Sequence, residues 1–174
     1  MEEPVPLVVV PTDSVVDRTA ASFEGFFEAH KGELYGTLCL ITRDRHEAED
    51  LTQDAFVRVF ERWDRVRAMD DPRAYLYRTA MNAMRSRYRR AKVAARRAVG
   101  GSEPDDAFAE IDAVDATVRA LATLSPRQRA AIILTDLLGY PSEDAARILG
   151  IRAATLRVHT SRARSALKGT MTHE

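Results

Sequence analysis

From Ser22 onward, apolar residues recur at steps of three and four. Phe23, Phe26, Phe27, His30, Leu34, Leu38 and Ile41 fall on one side of a 3.6-residue spiral, which predicts an amphipathic helix weakened at Gly32 and Gly36. Asp44 followed by Glu47 has the form of an N-cap with its N3 partner. It opens a second helix whose apolar face is Ala48, Leu51, Ala55, Phe56, Val59, Phe60 and Trp63. Asp71-Pro72 restarts the chain with proline at a first helical position, and Tyr75, Leu76, Thr79, Met81 and Met84 follow. Further on, Ser125-Pro126-Arg127-Gln128 supplies the N-cap, N1 proline and N3 glutamine of a capping box, leading into Ala131, Ile132, Leu134 and Leu138. Gly139-Tyr140-Pro141 stops that helix, and Ser142 is expected to cap a short helix ending at Leu149. Gly150 turns the chain, and a last helix runs from about Ala153 to Leu167 with an inward seam of Leu156, Thr160, Ala163 and Leu167. No strand-like alternation appears, so the predicted fold class is all-α.

Charge divides this helical chain in two. The totals are equal, 26 basic against 26 acidic residues among 174, so attraction to a polyanion depends on segregated charge. Arg85 to Arg97 holds seven basic residues and no acid, whereas Gly100 to Asp115 holds six acids, no base, and the breakers Gly100, Gly101, Ser102 and Pro104. The expected organisation is a loose extension over 1–21, a helical domain over 22–97, a flexible acidic linker over 98–112 and a second helical domain over 113–170. Arginine outnumbers lysine 23 to 3, which suits bidentate phosphate contacts and equally suits GC-rich codons.

Composition excludes several classes. No apolar run approaches a membrane span, and Leu7 to Val10 is too short and lacks a basic flank for a secretory signal, so a cytoplasmic protein is expected. A single Cys39 and scattered histidines at 30, 46, 159 and 173 give neither an intramolecular disulfide nor metal-ligand spacing. With no glycine-rich phosphate loop, activated nucleophile or paired carboxylates in motif context, the reading has no catalytic residue, no metal and no cofactor.

Two constellations point to nucleic acid. Residues 142–167 have helix-turn-helix spacing, with Ala146 small enough for close helix contact and Ile151 and Leu156 filling the angle. An ordinary αα-hairpin has the same spacing. What separates them is charge: after Asp144 no acid occurs until Glu174, while Arg147, Arg152, Arg157, Arg162, Arg164 and Lys168 lie between. A face lacking all acids suits phosphates, whose neutralisation releases counterions. The helix that becomes basic at Arg85 also carries Tyr75, Tyr77, Tyr88 and Asn82, a mixture suited to unstacked bases.

Taken in order, the motifs resemble an extracytoplasmic-function sigma factor, a bacterial transcription-initiation subunit of the sigma-70 superfamily built of two helical domains. The carriers are Glu47-Ala48-Glu49-Asp50-Leu51-Thr52-Gln53-Asp54-Ala55-Phe56, Asp71-Pro72-Arg73-Ala74-Tyr75-Leu76-Tyr77-Arg78 with Asn82, Leu124-Ser125-Pro126-Arg127-Gln128-Arg129, Ala146 to Ile151, and Thr155 to Leu167. The resemblance implies core RNA polymerase as partner, through its clamp coiled coil and flap, with promoter DNA read as separated strand at the minus-ten element and as duplex at the minus-thirty-five element. By analogy it adds an anti-sigma protein. It assigns Glu49, Asp50, Gln53, Asp54 and Arg58 to polymerase. Met69, Asp70, Asp71, Tyr75, Arg78, Asn82, Arg85, Arg89 and Arg90 go to the minus-ten element, and Arg152, Ala154, Thr155, Arg157, Val158, Ser161, Arg162 and Arg164 to the minus-thirty-five element. Tyr75 stands where the family often has tryptophan, and Val158-His159 replaces a frequent Ser-Arg pair, so no promoter sequence carries over. A free-standing helix-turn-helix regulator binding duplex as a dimer would leave the first domain without a role. A polymerase-binding protein with a degenerate DNA face would keep only the clamp surface.

Overall fold

The computed structural model describes residues 22–97 and 116–171. The expected extension over 1–21 and linker over 98–112 lie outside the described residues. Eight helices follow in order, and no strand occurs among the described residues: α1 Phe23–Thr42, α2 Arg45–Phe60, α3 Trp63–Val66, α4 Pro72–Arg97, α5 Ala116–Ala122, α6 Pro126–Ile132, α7 Ser142–Leu149 and α8 Ala153–Met171.

Local chemistry sets the helix ends. Ser22 caps α1 by accepting from the Gly25 N–H at 3.1 Å, and Asp44 caps α2 by accepting from the Glu47 N–H at 2.9 Å. The Asp44 N–H goes to Thr42 Oγ1 at 3.1 Å, which takes the place Glu47 would hold in a full capping box. The box at α6 is complete: Gln128 N–H donates to Ser125 Oγ, and the Ser125 N–H donates to Gln128 Oε1 at 2.9 Å. Ser142, expected as a cap, is instead the first residue of α7, with Pro141 at the cap position and no side-chain cap bond. After α6 the backbone widens into a π turn over Ile133–Leu137.

α1, α2 and α4 pack into a bundle around Leu34, Leu38, Ile41, Leu51, Val59, Leu76 and Met81, all sealed from solvent, while Ala48 and Ala55 let α2 approach its neighbours closely. Each such leucine contributes on the order of 1.5–3 kcal/mol by burial. The predicted apolar face of α2 runs too far at its end. The helix stops at Phe60, which is 59% exposed, and Trp63 starts the separate turn α3, where its ring meets Phe26 and Phe23 at 5.1 and 5.7 Å. In the second half α6, α7 and α5 pack on α8, whose seam of Leu156, Thr160 and Ala163 is buried as predicted, with Leu167 partly so. The halves also touch each other, α4 lying against α7 and α1 against α6.

The two glycines of α1 do not break it. A Cβ at Gly32 or Gly36 would meet nothing within 4 Å, and neither has positive φ, so no steric need explains them. Gly32→Ala and Gly36→Ala should each stabilise the fold by about 0.5–1 kcal/mol, raising Tm by roughly 1–4 °C in thermal melts. A lower Tm in either variant would contradict the open space at these positions.

Candidate nucleic-acid interface

The minus-ten set lies along α4 as a stripe. Tyr75, Arg78, Asn82, Arg85 and Arg89 alternate at three and four residues, so they share one face of a helix about 39 Å long. Arg78, Asn82, Arg85 and Arg89 are exposed, and Tyr75 is half-buried. Partial burial and the neighbouring charges of Arg89 and Arg78 lower the proton affinity of Arg85. Guanidinium groups crowded without an acid between them are compensated well by an incoming phosphate. Arg85 donates to Asn82 Oδ1 and, at 3.4 Å, to the Gly150 carbonyl of the second half. Of the loop residues, Asp71 caps α4 by accepting from the Ala74 N–H at 2.8 Å, Met69 is half-buried and Asp70 exposed. Tyr77, grouped by sequence with the base-stacking aromatics, is a core residue at 1% exposure. Arg90 is exposed, its Nε turned to the Ser86 carbonyl at 3.4 Å.

The acidic set lies on α2. Glu49, Asp50, Gln53 and Arg58 are exposed, and Asp54 is half-buried. The acids do not stand alone, because Arg87 of α4 forks between Asp50 Oδ2 at 3.1 Å and Asp54 Oδ2 at 2.8 Å. One of the seven arginines and lysines of the basic run is thereby committed to α2.

The helix-turn-helix forms around Gly150, whose φ of +60° is the left-handed value favoured by glycine at a helix end. Its N–H donates to the Arg147 carbonyl at 3.2 Å, and the Ile151 N–H donates to Ala146 at 3.0 Å. Arg152, Ala154, Thr155, Arg157, Val158, Ser161, Arg162 and Arg164 all point to solvent from α8 or its leading turn. Acids from earlier in the chain reach the same face. Arg164 is held by both oxygens of Asp136 at 2.7 and 2.9 Å, Arg147 by Asp144, and Arg157 lies 3.5 Å from Glu143.

Sequence reasoning missed a cluster between the halves. Arg73 pairs with Glu33, and its guanidinium lies 5.5 Å from the ring centre of Tyr77 and 5.1 Å from that of Tyr140. Tyr77 donates to Glu33 at 2.9 Å. Burial pushes the Glu33 carboxyl up, but the bonds from Arg73 and Tyr77 outweigh it and hold it below the ordinary range. Burial also pushes the Tyr140 hydroxyl up to about 12, opposed by the charge of Arg73. Arg129, 5% exposed, lies within electrostatic reach of Tyr88. The available signal was Tyr140 itself, an aromatic residue between Gly139 and Pro141 in a segment otherwise read as a helix stop.

Two family models match this chain, Sigma-70 region 2 over residues 26–94 and Sigma-70 region 4 over residues 115–167. Among similar proteins, the ECF RNA polymerase sigma factor SigM of Mycobacterium tuberculosis is 31% identical over 147 residues, covering 84% of this chain and 75% of its own. SigC of the same organism, also an ECF RNA polymerase sigma factor, is 30% identical over 153 residues, covering 84% and 81%. Among solved structures, the sigma factor RpoE of Bartonella quintana, in complex with the anti-sigma factor NepR, superposes with a TM-score of 0.74 at 27% identity, covering 86% of this chain and 96% of that one.

The Asp136–Arg164 pair gives a test of the electrostatics. Hydrogen bonds from Arg164 lower the Asp136 carboxyl below its ordinary value, with burial opposing. A group depressed in this way contributes stability above the carboxylate's unfolded pKa of about 3.9, and loses it as pH falls through the lower folded value. Because the pair is largely exposed, Asp136→Asn should cost at most about 1 kcal/mol at neutral pH. In urea melts the gap between wild type and Asp136→Asn should close as pH falls below about 4. A gap independent of pH would mean that Asp136 acts through packing alone.

Proposed function

The chain belongs to the extracytoplasmic-function sigma factors of the sigma-70 family, and from that membership we propose how its individual surfaces divide the work of starting transcription. As a sigma factor it acts with RNA polymerase and promoter DNA. In this division the first domain, 22–97, binds the polymerase clamp and the minus-ten strand, and the second, 113–170, binds the minus-thirty-five duplex and the flap. The protein carries out no chemistry of its own, and works in the cytoplasm with polymerase on the nucleoid. A free-standing helix-turn-helix regulator is not favoured, since the region 2 match takes in nearly all of the first described half.

The observation that carries the reading is the stripe on α4: three exposed guanidinium groups in register with an exposed amide on a face also bearing Tyr75. Such a surface offers phosphate contacts along its length and one bidentate partner, Asn82, for the edge of an unpaired base. Asp50, Gln53 and Asp54 are the candidate clamp contacts, with Arg87 as the partner that the acids would share with, or yield to, a basic polymerase surface. On α8, Arg157 lies in the first turns, where a recognition helix enters a major groove, and Val158 beside it offers a methyl contact to thymine. Arg162 and Arg164, further along, suit phosphates.

Run-off transcription with core polymerase tests the whole reading. The purified chain should confer initiation on a subset of genomic promoters, and Asp50→Lys/Asp54→Lys should reduce core binding while helix content persists. Full activity of that double variant would remove the clamp assignment. On α8, Arg157→Ala should cost about 1–3 kcal/mol on the cognate element and relax preference at one base pair. Arg164→Ala should weaken all sequences alike, by less than a free phosphate contact would, because Asp136 already neutralises it. A single-base library measured at two salt concentrations separates the two, and a uniform loss for Arg157→Ala would make it another phosphate contact.

A further inference from the structure

Among the described residues, three acids of the second half pair with arginines, and they hold them differently. Asp144 takes Arg147 one turn along its own helix. Asp136 takes Arg164 through both Nε, at 2.9 Å, and Nη2, at 2.7 Å, so the two-donor edge of that guanidinium is filled. Glu143 does something else. From the first turn of α7 it crosses to Arg157 of α8, 14 residues further on, and touches Nη1 alone at 3.5 Å. The Nε–Nη2 edge of Arg157 meets no acceptor among the described residues. That edge is the fork that takes two acceptors side by side, such as O6 and N7 of guanine. The frame behind the crossing is rigid. α7 and α8 pack on one another with Ala145, Ala146, Ile148 and Leu156 buried, and Gly150 and the bond from Ile151 N–H to the Ala146 carbonyl fix the turn between them.

We propose that Glu143 is a positioning residue for promoter reading: it holds Arg157 by one corner, leaves the two-donor edge free for a guanine in the major groove, and so makes Arg157 a base reader and not a phosphate contact. This role rests on the assignment of α8 to the minus-thirty-five duplex made above. Two physical effects support it. An arginine held by nothing loses much side-chain freedom when it docks, and a contact already made in the free chain removes part of that cost. The second effect is charge. A carboxylate beside the guanidinium offsets its attraction to the DNA backbone, so Arg157 is a poorer partner for phosphate than Arg152 or Arg162, which form no ion pair among the described residues. In the free chain the side chains of Arg157 and Glu143 are 60% and 70% exposed, and water weakens their attraction. Inside a groove that excludes water the same pair strengthens. A carboxylate facing a polyanion lowers affinity for every duplex, and what it adds is discrimination between bases.

The full-length chain, assembled with core polymerase, first selects its minus-thirty-five element from a randomised duplex library. Wild type, Glu143→Ala, Glu143→Gln, Arg157→Ala and the double variant Glu143→Ala/Arg157→Ala are then measured on every single-base change of that element, at two salt concentrations. Glu143→Ala should lower the preference for guanine at one base pair by about three- to fivefold. Binding to unrelated duplex should tighten, and the salt slope should steepen by up to about one. Glu143→Gln keeps an oxygen at the same reach without the charge, so its loss of preference should fall between wild type and Glu143→Ala. With Arg157→Ala already present, Glu143→Ala should no longer change preference at that base pair, a coupling that a role confined to the start of α7 would not produce. Equal weakening on every duplex by Glu143→Ala, or the same effect with and without Arg157, would overturn the positioning. If Arg157→Ala itself weakens all bases alike, the base-reading assignment falls and the positioning falls with it. Selective loss in Arg157→Ala with unchanged preference in Glu143→Ala removes the positioning alone.

Discussion

Helix α4 has to satisfy three neighbours at once, and the rest of the molecule is arranged around that constraint. Its apolar side, through Leu76, Ala80, Met81 and Met84, is buried in the core shared with α1 and α2. A second side meets α7, and the stripe from Arg78 to Arg89 lies open to solvent. A 26-residue helix has room for this because its faces are separated by rotation, not by length. Its basic end, from Arg85 on, would be poorly stable as an isolated segment. Tertiary packing of the apolar positions before it supplies the nucleus from which it extends.

Electrostatics follow from how the helices cross. Counted along the chain, acids and bases are segregated, yet in space they mix wherever one helix lies over another. Arg87 reaches across to Asp50 and Asp54, Arg73 to Glu33, and Arg164 to Asp136. Most of these pairs are exposed enough that each contributes little to stability. Their larger effect is to set which cations remain available. Arg152 and Arg162 form no ion pair among the described residues, whereas Arg164 and Arg87 are each already held by an acid. Where such a cation is proposed to meet phosphate, the exchange of one anion for another would tune salt dependence more than raw affinity.

The helices, their caps and the inward seam of α8 were legible in the sequence because each is decided by residues within about one or two turns of each other. Asp44, Ser125, Pro72 and Gly150 act on neighbours no more than a few positions away, and the seam from Leu156 to Leu167 follows the helical period alone. The exposure of Phe60, the break before Trp63 and the placing of Pro141 at the start of α7 were not legible. At Phe60 and Trp63 periodicity continued past the point where packing stopped it, and at Pro141 the helix began one residue earlier than a Ser142 cap would allow. The candidate surfaces were legible as residue types in a helical register, which is why Arg78, Asn82, Arg85 and Arg89 do share one face.

What the sequence alone determined is therefore the all-α class, the positions of most helices and the family, all properties of local pattern and motif order. Only the tertiary structure decided which of two chemically similar residues is core and which is surface. Tyr77 is sealed while Tyr88 is exposed, and Arg129 is buried while Arg127 faces solvent. It also decided which charges are already paired, and that Tyr140, in a loop between two helices, closes over Arg73 from the other half. These contacts join positions 33, 73, 77 and 140, far apart along the chain, and no period or spacing encodes a distance that exists only after the helices have packed.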